Sequence, residues 1–214
     1  MTRRDLAAHR STWEDPISTV YQGVRLYQCP PNGQGLTALL ALNILSQLGP
    51  NALRRPLSVS WWHHIIEALR LAFADTRWYI ADPAFSAVPV NELLSANYAA
   101  RRAAKIDPRR ALRLVRKGSP VSGSGTVYFS VVDAWGNACS MVNSNYQGFG
   151  TGIVPDGLGF SLQNRGLNFS LDPKHPNALA PRKRPYHTII PAMATREVDG
   201  SLFSSFGVMG GFMQ

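Results

Sequence analysis

Cysteine is scarce in this sequence, since only Cys29 and Cys139 occur among its 214 residues. Two cysteines in distant, unlike contexts give neither a disulfide framework nor the ligand spacing of a metal site. Long apolar runs are also missing: none approaches the roughly 20 residues that span a bilayer, and the first residues lack the apolar stretch of a secretory signal. As written, the sequence predicts free thiols, no metal, no membrane contact and a cytoplasmic location.

Acidic residues are few as well, 13 against 22 lysines and arginines, which gives a net charge of +9. Much of the excess lies in residues 101–117, and such a run could bind nucleic acid. The run contains no interleaved aromatic residues and no nucleic-acid motif. We therefore interpret it as a solvated basic helix or loop and expect no nucleic-acid partner.

The first half of the sequence carries helical periodicity. Residues 36–48 are apolar nearly all round, which predicts a buried helix, and a second helix is predicted from about residue 58 to 75. Residues 18–29 fit a short strand, and residues 90–115 fit further short helices. His63 and His64 point about a hundred degrees apart on the second helix, so we interpret them as packing or surface residues and not as ligands of one metal.

The second half is predicted to be mainly β. GSPVSGSG at residues 118–125 predicts an exposed connector. TVYFSVVD and ACSMVNSN flank a turn at residues 134–137, which predicts a hairpin that begins at Thr126, and residues 188–196 and 201–209 are further strand candidates. Helices in one half and strands in the other favour a layered α+β fold over alternating βαβ units.

Thr126 follows a connector that could be cut. A break between Gly125 and Thr126 would free an α-amine, with a reference pKa of roughly 7.7–8.0, beside the threonine hydroxyl that it could activate. Many strands also begin with threonine after a glycine-rich loop for ordinary turn chemistry. The local pattern alone leaves both interpretations open.

A series of ordered motifs supplies a resemblance. TVYFSVVDAWGNACS is similar to the start of the small subunit of γ-glutamyltransferases, and FGTGIV, NFS, KRP and the pair Gly210 and Gly211 follow in that family's order. DLAAHR, PPNGQG, ALNIL and EALRLAFAD resemble the end of the large subunit. The resemblance covers nearly the whole chain. It implies that residues 1–125 are the mainly helical end of a large subunit and residues 126–214 the mainly β start of a small one.

The resemblance also implies a fold and a chemistry. The fold is part of the four-layer αββα sandwich of N-terminal-nucleophile hydrolases, truncated at both ends. Thr126 would attack the Gly125 carbonyl to split the chain, and would then form an acyl-enzyme from a small-molecule amide. Ser144 falls where the family has a second threonine that supports the nucleophile, and Gly210 and Gly211 fall at the oxyanion hole. No cofactor is implied.

Five substrate-reading positions depart from the transpeptidase pattern: Tyr146, Arg165, Asn168, His187 and Thr188. Asn168 replaces an aspartate that grips the glutamyl α-amine, while His187 and Thr188 replace two serines that hold its carboxylate. Losing the acid and gaining Arg165 favour an acyl group that has a carboxylate but no ammonium, as in glutaryl-type or oxamate-like amides. The alternatives are a surface salt bridge for Arg165 and simple loop packing for His187.

Compared with the family, the chain is expected to lack the start of the large subunit and the rest of the small one. Uncovered sheet edges and apolar faces should follow, and these missing parts would be its partners. The alternative to an enzyme is an unprocessed chain that serves only as a subunit or interaction module. A signal upstream in a longer parent chain would place the protein in the periplasm or outside the cell.

Overall fold

A computed structural model describes residues 2–113 and 126–211. Its helices are α1 (Arg3–Ala7), α2 (Gly35–Ser46), α3 (Val59–Tyr79), α4 (Val90–Leu93), α5 (Ala96–Ala103) and the 3₁₀ helix η1 (Arg165–Asn168). Its strands are β1 (Ile17–Tyr21), β2 (Val24–Gln28), β3 (Thr126–Val132), β4 (Ala138–Ser144), β5 (Ala192–Arg196) and β6 (Leu202–Phe206). The predicted connector at 118–125, with Gly125, lies outside the described residues.

One antiparallel sheet has the strand order β1-β2-β5-β6. β1 and β2 form a hairpin through Gln22 and Gly23, whose φ angles of 50° and 79° are the left-handed values of a two-residue hairpin turn. The single strand predicted for residues 18–29 was therefore wrong, because the segment reverses direction at this turn. β2 pairs with β5, with Leu26 opposite Ala194, so both halves of the chain share one sheet. The sequence predicted helices in the first half of the chain and strands in the second. This holds for the α-helices, but it fails for the strands because β1 and β2 lie in the first half.

Helices α2, α3 and α5 form the layer that holds the main core. α2 matches the predicted buried helix, and its Asn43 accepts a hydrogen bond from Thr19 of β1 at 2.5 Å. α3 starts where predicted, since the Ser58 hydroxyl accepts the Trp61 amide as an N-cap, but it continues about one turn beyond the predicted end. The core cluster between these helices comprises Leu40, Ala41, Ile44, Ala68, Leu71, Ala72 and Ala103.

Two polar side chains of the first half, those of His64 and Arg102, bond to neighbouring groups in this layer. The His64 ring hydrogen-bonds the Ser60 carbonyl at 2.7 Å, in keeping with a packing role. Arg102 forms an ion pair with Asp75 at 2.8 Å, and both side chains are mostly buried. The interpretation of residues 101–117 as wholly solvated is therefore wrong at Arg102, and residues 114–117 lie outside the described part.

The predicted hairpin is present as β3 and β4, and it packs on the sheet face opposite α2. The Ser140 hydroxyl accepts the Ala192 amide at 3.1 Å and donates to the Phe206 carbonyl at 3.2 Å. Together with Tyr27, Met193 and Thr195, Ser140 lines a cavity of about 720 Å³ between the two β layers. The described residues thus form an α–β–β stack, which is part of the predicted four-layer arrangement.

β5 and β6 are shorter than the strands predicted at 188–196 and 201–209, since β5 begins only at Ala192 and β6 runs only from Leu202 to Phe206. Within residues 2–113 and 126–211, no helix combines the length and the apolar composition that crossing a membrane requires.

Candidate functional site

Thr126 and Ser144 meet at the open end of the β3–β4 hairpin. They are direct cross-strand partners, and directly opposed residues of an antiparallel pair project to the same face. Their hydroxyl oxygens are 2.8 Å apart, and Ser144 Oγ also accepts the Tyr146 amide at 3.0 Å. A serine hydroxyl can accept two hydrogen bonds and donate one, so it can support Thr126 as donor or as acceptor.

The chain turns sharply after β4, and this turn brings in Arg165. Tyr146 has a φ of 76°, a left-handed value that is unusual for a bulky residue. Gln147 and Asn164 exchange hydrogen bonds of 3.1 and 2.6 Å, which hold residues 163–165 against the turn. As a result, Arg165 Cζ lies 5.6 Å from the centroid of the Tyr146 ring.

Arg165 is a buried cation that forms no ion pair with an acidic residue in the ranges 2–113 and 126–211. Only 4% of the residue is exposed, and Nη1 donates to Thr188 Oγ1 at 2.9 Å. Nη2 has no hydrogen-bond partner among the described residues. Burial lowers the pKa of Arg165 to about 10, so the group stays cationic at neutral pH. The surface salt-bridge alternative is therefore wrong, and an anion at this site would offset the cost of the buried charge.

His187 directly precedes Thr188, the hydrogen-bond partner of Arg165, and backbone hydrogen bonds hold it in place. Its amide donates to the Asn32 carbonyl at 2.9 Å, its carbonyl accepts the Gln34 amide at 2.8 Å, and its Nδ1 accepts the Ile189 amide at 3.3 Å. Burial, and then the charge of Arg165, lower the pKa of His187 to about 3. The ring is thus neutral at pH 7, and its contacts are those of the packed loop residue.

Asn168 ends the 3₁₀ helix that Arg165 begins. Its Nδ2 donates to the Tyr186 carbonyl at 2.9 Å, and its carbonyl accepts Asn177 Nδ2 at 2.8 Å. A cavity of about 420 Å³ opens beside Asn168 and Tyr146. The Asn168 side chain is therefore neutral, and its amide nitrogen is bonded to the main chain.

Gly210 and Gly211 follow β6 with φ angles of 112° and 69°, which side-chain-bearing residues rarely adopt. The chain leaves β6 at Gly207, whose Cα lies against the ring of Tyr128. Ser140, opposite Ser130, contacts Phe206, so the step from Phe206 to Gly207 runs along β3 toward Thr126. The path of the chain is consistent with an oxyanion-hole role, which stays a prediction.

The structure thus connects Thr126, Ser144, Tyr146, Arg165 and Thr188 through successive contacts. His187 and Asn168 adjoin this series, whereas Gly125 lies outside the described residues. No group of three or more potential metal-ligating side chains occurs within residues 2–113 and 126–211. Sequence reasoning missed Arg77, which lines the cavity beside Tyr146, because a basic residue in the last turn of a helix is unremarkable.

Comparison with known proteins places the chain in a family. The gamma-glutamyltranspeptidase family model matches residues 1–214. The chain is 41% identical over 211 residues to the glutathione hydrolase-like YwrD proenzyme of Bacillus subtilis, covering 99% of the chain and 39% of that relative. It is 38% identical to the oxamate amidohydrolase proenzyme of Klebsiella pneumoniae, covering 99% of the chain and 38% of the relative.

A solved structure agrees with this result. Cephalosporin acylase from Bacillus halodurans matches with a TM-score of 0.87 and 46% identity, over 100% of this chain and 38% of the acylase chain. This likeness confirms the predicted α+β fold as part of an N-terminal-nucleophile sandwich. The chain spans about two fifths of the length of these relatives. It belongs to the gamma-glutamyltranspeptidase family.

Proposed function

We propose that this chain carries the reaction centre of an autoprocessed amide hydrolase or acyltransferase, with Thr126 as the nucleophile. The observation that supports this most directly is the 2.8 Å contact between Thr126 Oγ1 and Ser144 Oγ at the open end of the hairpin. Residues 1–125 would form the end of a large subunit and residues 126–214 the start of a small one.

Processing would be the first reaction of Thr126. Its Oγ attacks the Gly125 carbonyl carbon, the new Oγ–C bond replaces the C–N bond, and the released nitrogen takes up the hydroxyl proton. Water then cleaves the ester and leaves a carboxylate on Gly125 and a free α-amine on Thr126. That amine stands next to the hydroxyl that it activates in turnover.

In turnover, the α-amine accepts the Thr126 hydroxyl proton while Oγ bonds to the substrate carbonyl carbon. The amide C–N bond breaks, the leaving amine takes the proton, and an acyl ester stays on Thr126. Water or an acceptor amine attacks the ester and restores the hydroxyl. Backbone N–H groups of Gly210 and Gly211 would stabilise the negative charge on the carbonyl oxygen.

The acyl group should bear a carboxylate and no ammonium. Arg165 is buried and cationic, and its Nη2 has no hydrogen-bond partner in the part of the chain that the structure describes. His187 is neutral, and Asn168 cannot neutralise an ammonium. Glutaryl-type and oxamate-like amides satisfy these conditions better than γ-glutamyl amides. The relatives named as oxamate amidohydrolase and cephalosporin acylase support this choice.

Denaturing mass spectrometry of the purified chain tests the nucleophile. A break before Thr126 gives pieces of 125 and 89 residues, and Thr126→Ala should leave the 214-residue chain intact. The control Ser130→Ala removes a hydroxyl from the same strand and should split normally. Splitting of Thr126→Ala would remove the basis of the proposal.

The competing function is that of an unprocessed subunit or interaction module, which the exposed apolar residues of the hairpin favour. An intact wild-type chain that does not cleave glutaryl or γ-glutamyl anilides would support it. For an active enzyme, the same anilides with and without glycylglycine separate hydrolysis from transfer. A preference for γ-glutamyl over glutaryl anilide would contradict the assigned role of Arg165.

A further inference from the structure

The ring of Tyr128 packs on the main chain just beyond β6. Tyr128 lies two residues after Thr126 on β3, so both side chains point to the same face of the hairpin. A methyl group added at Gly207 would stand 2.5 Å from Tyr128 Cδ2 and 2.6 Å from Cε2, whereas non-bonded carbon atoms prefer about 3.5–4.0 Å. The φ angle of Gly207 is not left-handed, so glycine is needed at this position for space and not for backbone conformation.

The hydroxyl of Tyr128 fixes the ring against the same strand. It lies 3.2 Å from Ser140 Oγ, which donates to the Phe206 carbonyl and accepts the Ala192 amide. A serine hydroxyl accepts a second hydrogen bond, so Tyr128 can donate to it. One serine therefore holds both the tyrosine ring and the residue that precedes Gly207.

The contact between Tyr128 and Gly207 stands close to the glycine pair and to Thr126. Strand residues advance about 3.3 Å each, so Thr126 lies about 7 Å along β3 from Tyr128. The three steps from Gly207 to Gly210 can span about 10 Å, which is enough to reach Thr126. The two residues between these glycines are more than half exposed, so packing supports them less than it supports Gly207.

We propose that Tyr128 and Gly207 are positioning residues for the reaction at Thr126, because their contact sets where the N–H groups of Gly210 and Gly211 stand. This inference rests on the proposed function, in which those N–H groups stabilise the negative charge on the carbonyl oxygen. That charge develops only in the transition state. A shift of the two donors should therefore lower kcat and leave KM nearly unchanged.

The kinetic test uses a double-mutant cycle, with the glutaryl anilide as substrate and rates expressed per split molecule. Gly207→Ala presses a methyl group on the ring and should lower kcat by about tenfold to hundredfold, with KM within about twofold. Tyr128→Val removes the ring, keeps a strand-forming residue and should lower kcat by about tenfold. Without the ring the methyl group meets no obstacle, so the double variant should be no slower than Tyr128→Val alone.

Two controls separate placement of the glycine pair from general packing. Tyr128→Phe keeps the ring and should retain kcat within about threefold. Gly49→Ala adds the same methyl group where no non-neighbouring atom of the described residues lies within 4 Å, and it should behave as wild type. Thermal unfolding is followed in parallel, because a contact with a merely structural role would lower the melting temperature and leave kcat per split molecule unchanged.

In an active enzyme, a normal kcat in Gly207→Ala, a change in KM alone, or additive losses in the double variant would overturn the positioning role. If Gly207→Ala does not fold, Tyr128→Val carries the test, since a normal kcat in that variant contradicts the role equally. A wild-type chain that stays unsplit and cleaves no anilide would instead remove the proposed function, and the positioning role with it.

Discussion

The helical layer and the β3–β4 hairpin are equally rich in apolar residues, but they differ in how far those side chains are buried. Leu36, Leu39 and Leu40 of α2 are 0% exposed, whereas Val127 and Val131 of β3 are 58% and 60% exposed. The stability contained in this chain should therefore come from the helical layer and the sheet beneath it. The strand that carries Thr126 is thus far less covered than the helical core.

Hydrogen bonds, more than burial, hold the hairpin in place. The Ser140 hydroxyl joins β4 to β5 and β6, and the Tyr128 ring packs on Gly207. Such contacts fix orientation while contributing modestly to stability. The difference between the regions shows that an element with little core of its own can be oriented by a few directional bonds.

The strongest test of this difference is a pair of truncations. Leu40→Ala should lower the free energy of unfolding by about 2–5 kcal/mol, because it leaves a cavity in the core cluster. Val131→Ala should change it by less than about 0.5 kcal/mol, because that side chain is mostly in solvent. Urea denaturation followed by circular dichroism measures both. Equal losses would show that the hairpin is covered in solution, by another molecule or by a further part of a longer chain.

A smaller effect is expected at the site itself. Ser144→Ala removes the hydroxyl that contacts Thr126, and it should slow processing and lower kcat/KM by about tenfold to hundredfold with little change in stability. Ser144→Thr keeps the hydroxyl and should restore most of the rate, while Ser130→Ala serves as the control on the same hairpin. Wild-type rates in Ser144→Ala would separate this contact from the chemistry.

The third expected effect concerns the pH dependence of stability. The pKa of His187 is about 3 in the folded chain, against an ordinary value of 6.5. Between these two pH values the unfolded chain therefore binds a proton that the folded chain does not bind. Stability from this group is complete above pH 6.5 and falls by up to about 1.4 kcal/mol per pH unit as the pH drops toward 3. His187→Asn lacks this contribution.

Urea unfolding of wild type and His187→Asn between pH 7 and pH 4.5 checks the pH effect, and the stability difference between the two should shift against wild type as the pH falls. Parallel curves would mean that the His187 ring is more accessible to water than its surroundings in the structure indicate.

Much of the local structure could be predicted from the sequence. The apolar run of α2, the Ser58 cap of α3 and the alternating strands around the turn before Ala138 are local signals with known periods. Thr126 and Ser144 could be named in advance because ordered motifs resemble a family. Their contact depends on a register that a two-strand hairpin specifies locally.

The remaining features depend on contacts between distant residues. Nothing near Arg165 in the sequence shows that Thr188 and Tyr146 enclose it, so its burial appears only in the fold. The β2–β5 pairing joins residues about 170 apart, and periodicity carries no information on which strands pair. The cavity beside Tyr146 likewise depends on distant contacts, since the loop at residues 175–177 completes a wall that the end of α3 begins.

The β2–β5 pairing also determines what a break before Thr126 would leave behind. One piece would contribute β2 and the other β5, with Gln34 Nε2 bonded to the Thr188 carbonyl and Asp82 paired with Arg184 across the cut. The pieces should co-elute under native conditions. Once denatured, however, they would have to find each other by bimolecular encounter, so recovery would depend on protein concentration, whereas the uncut chain refolds with both strands tethered.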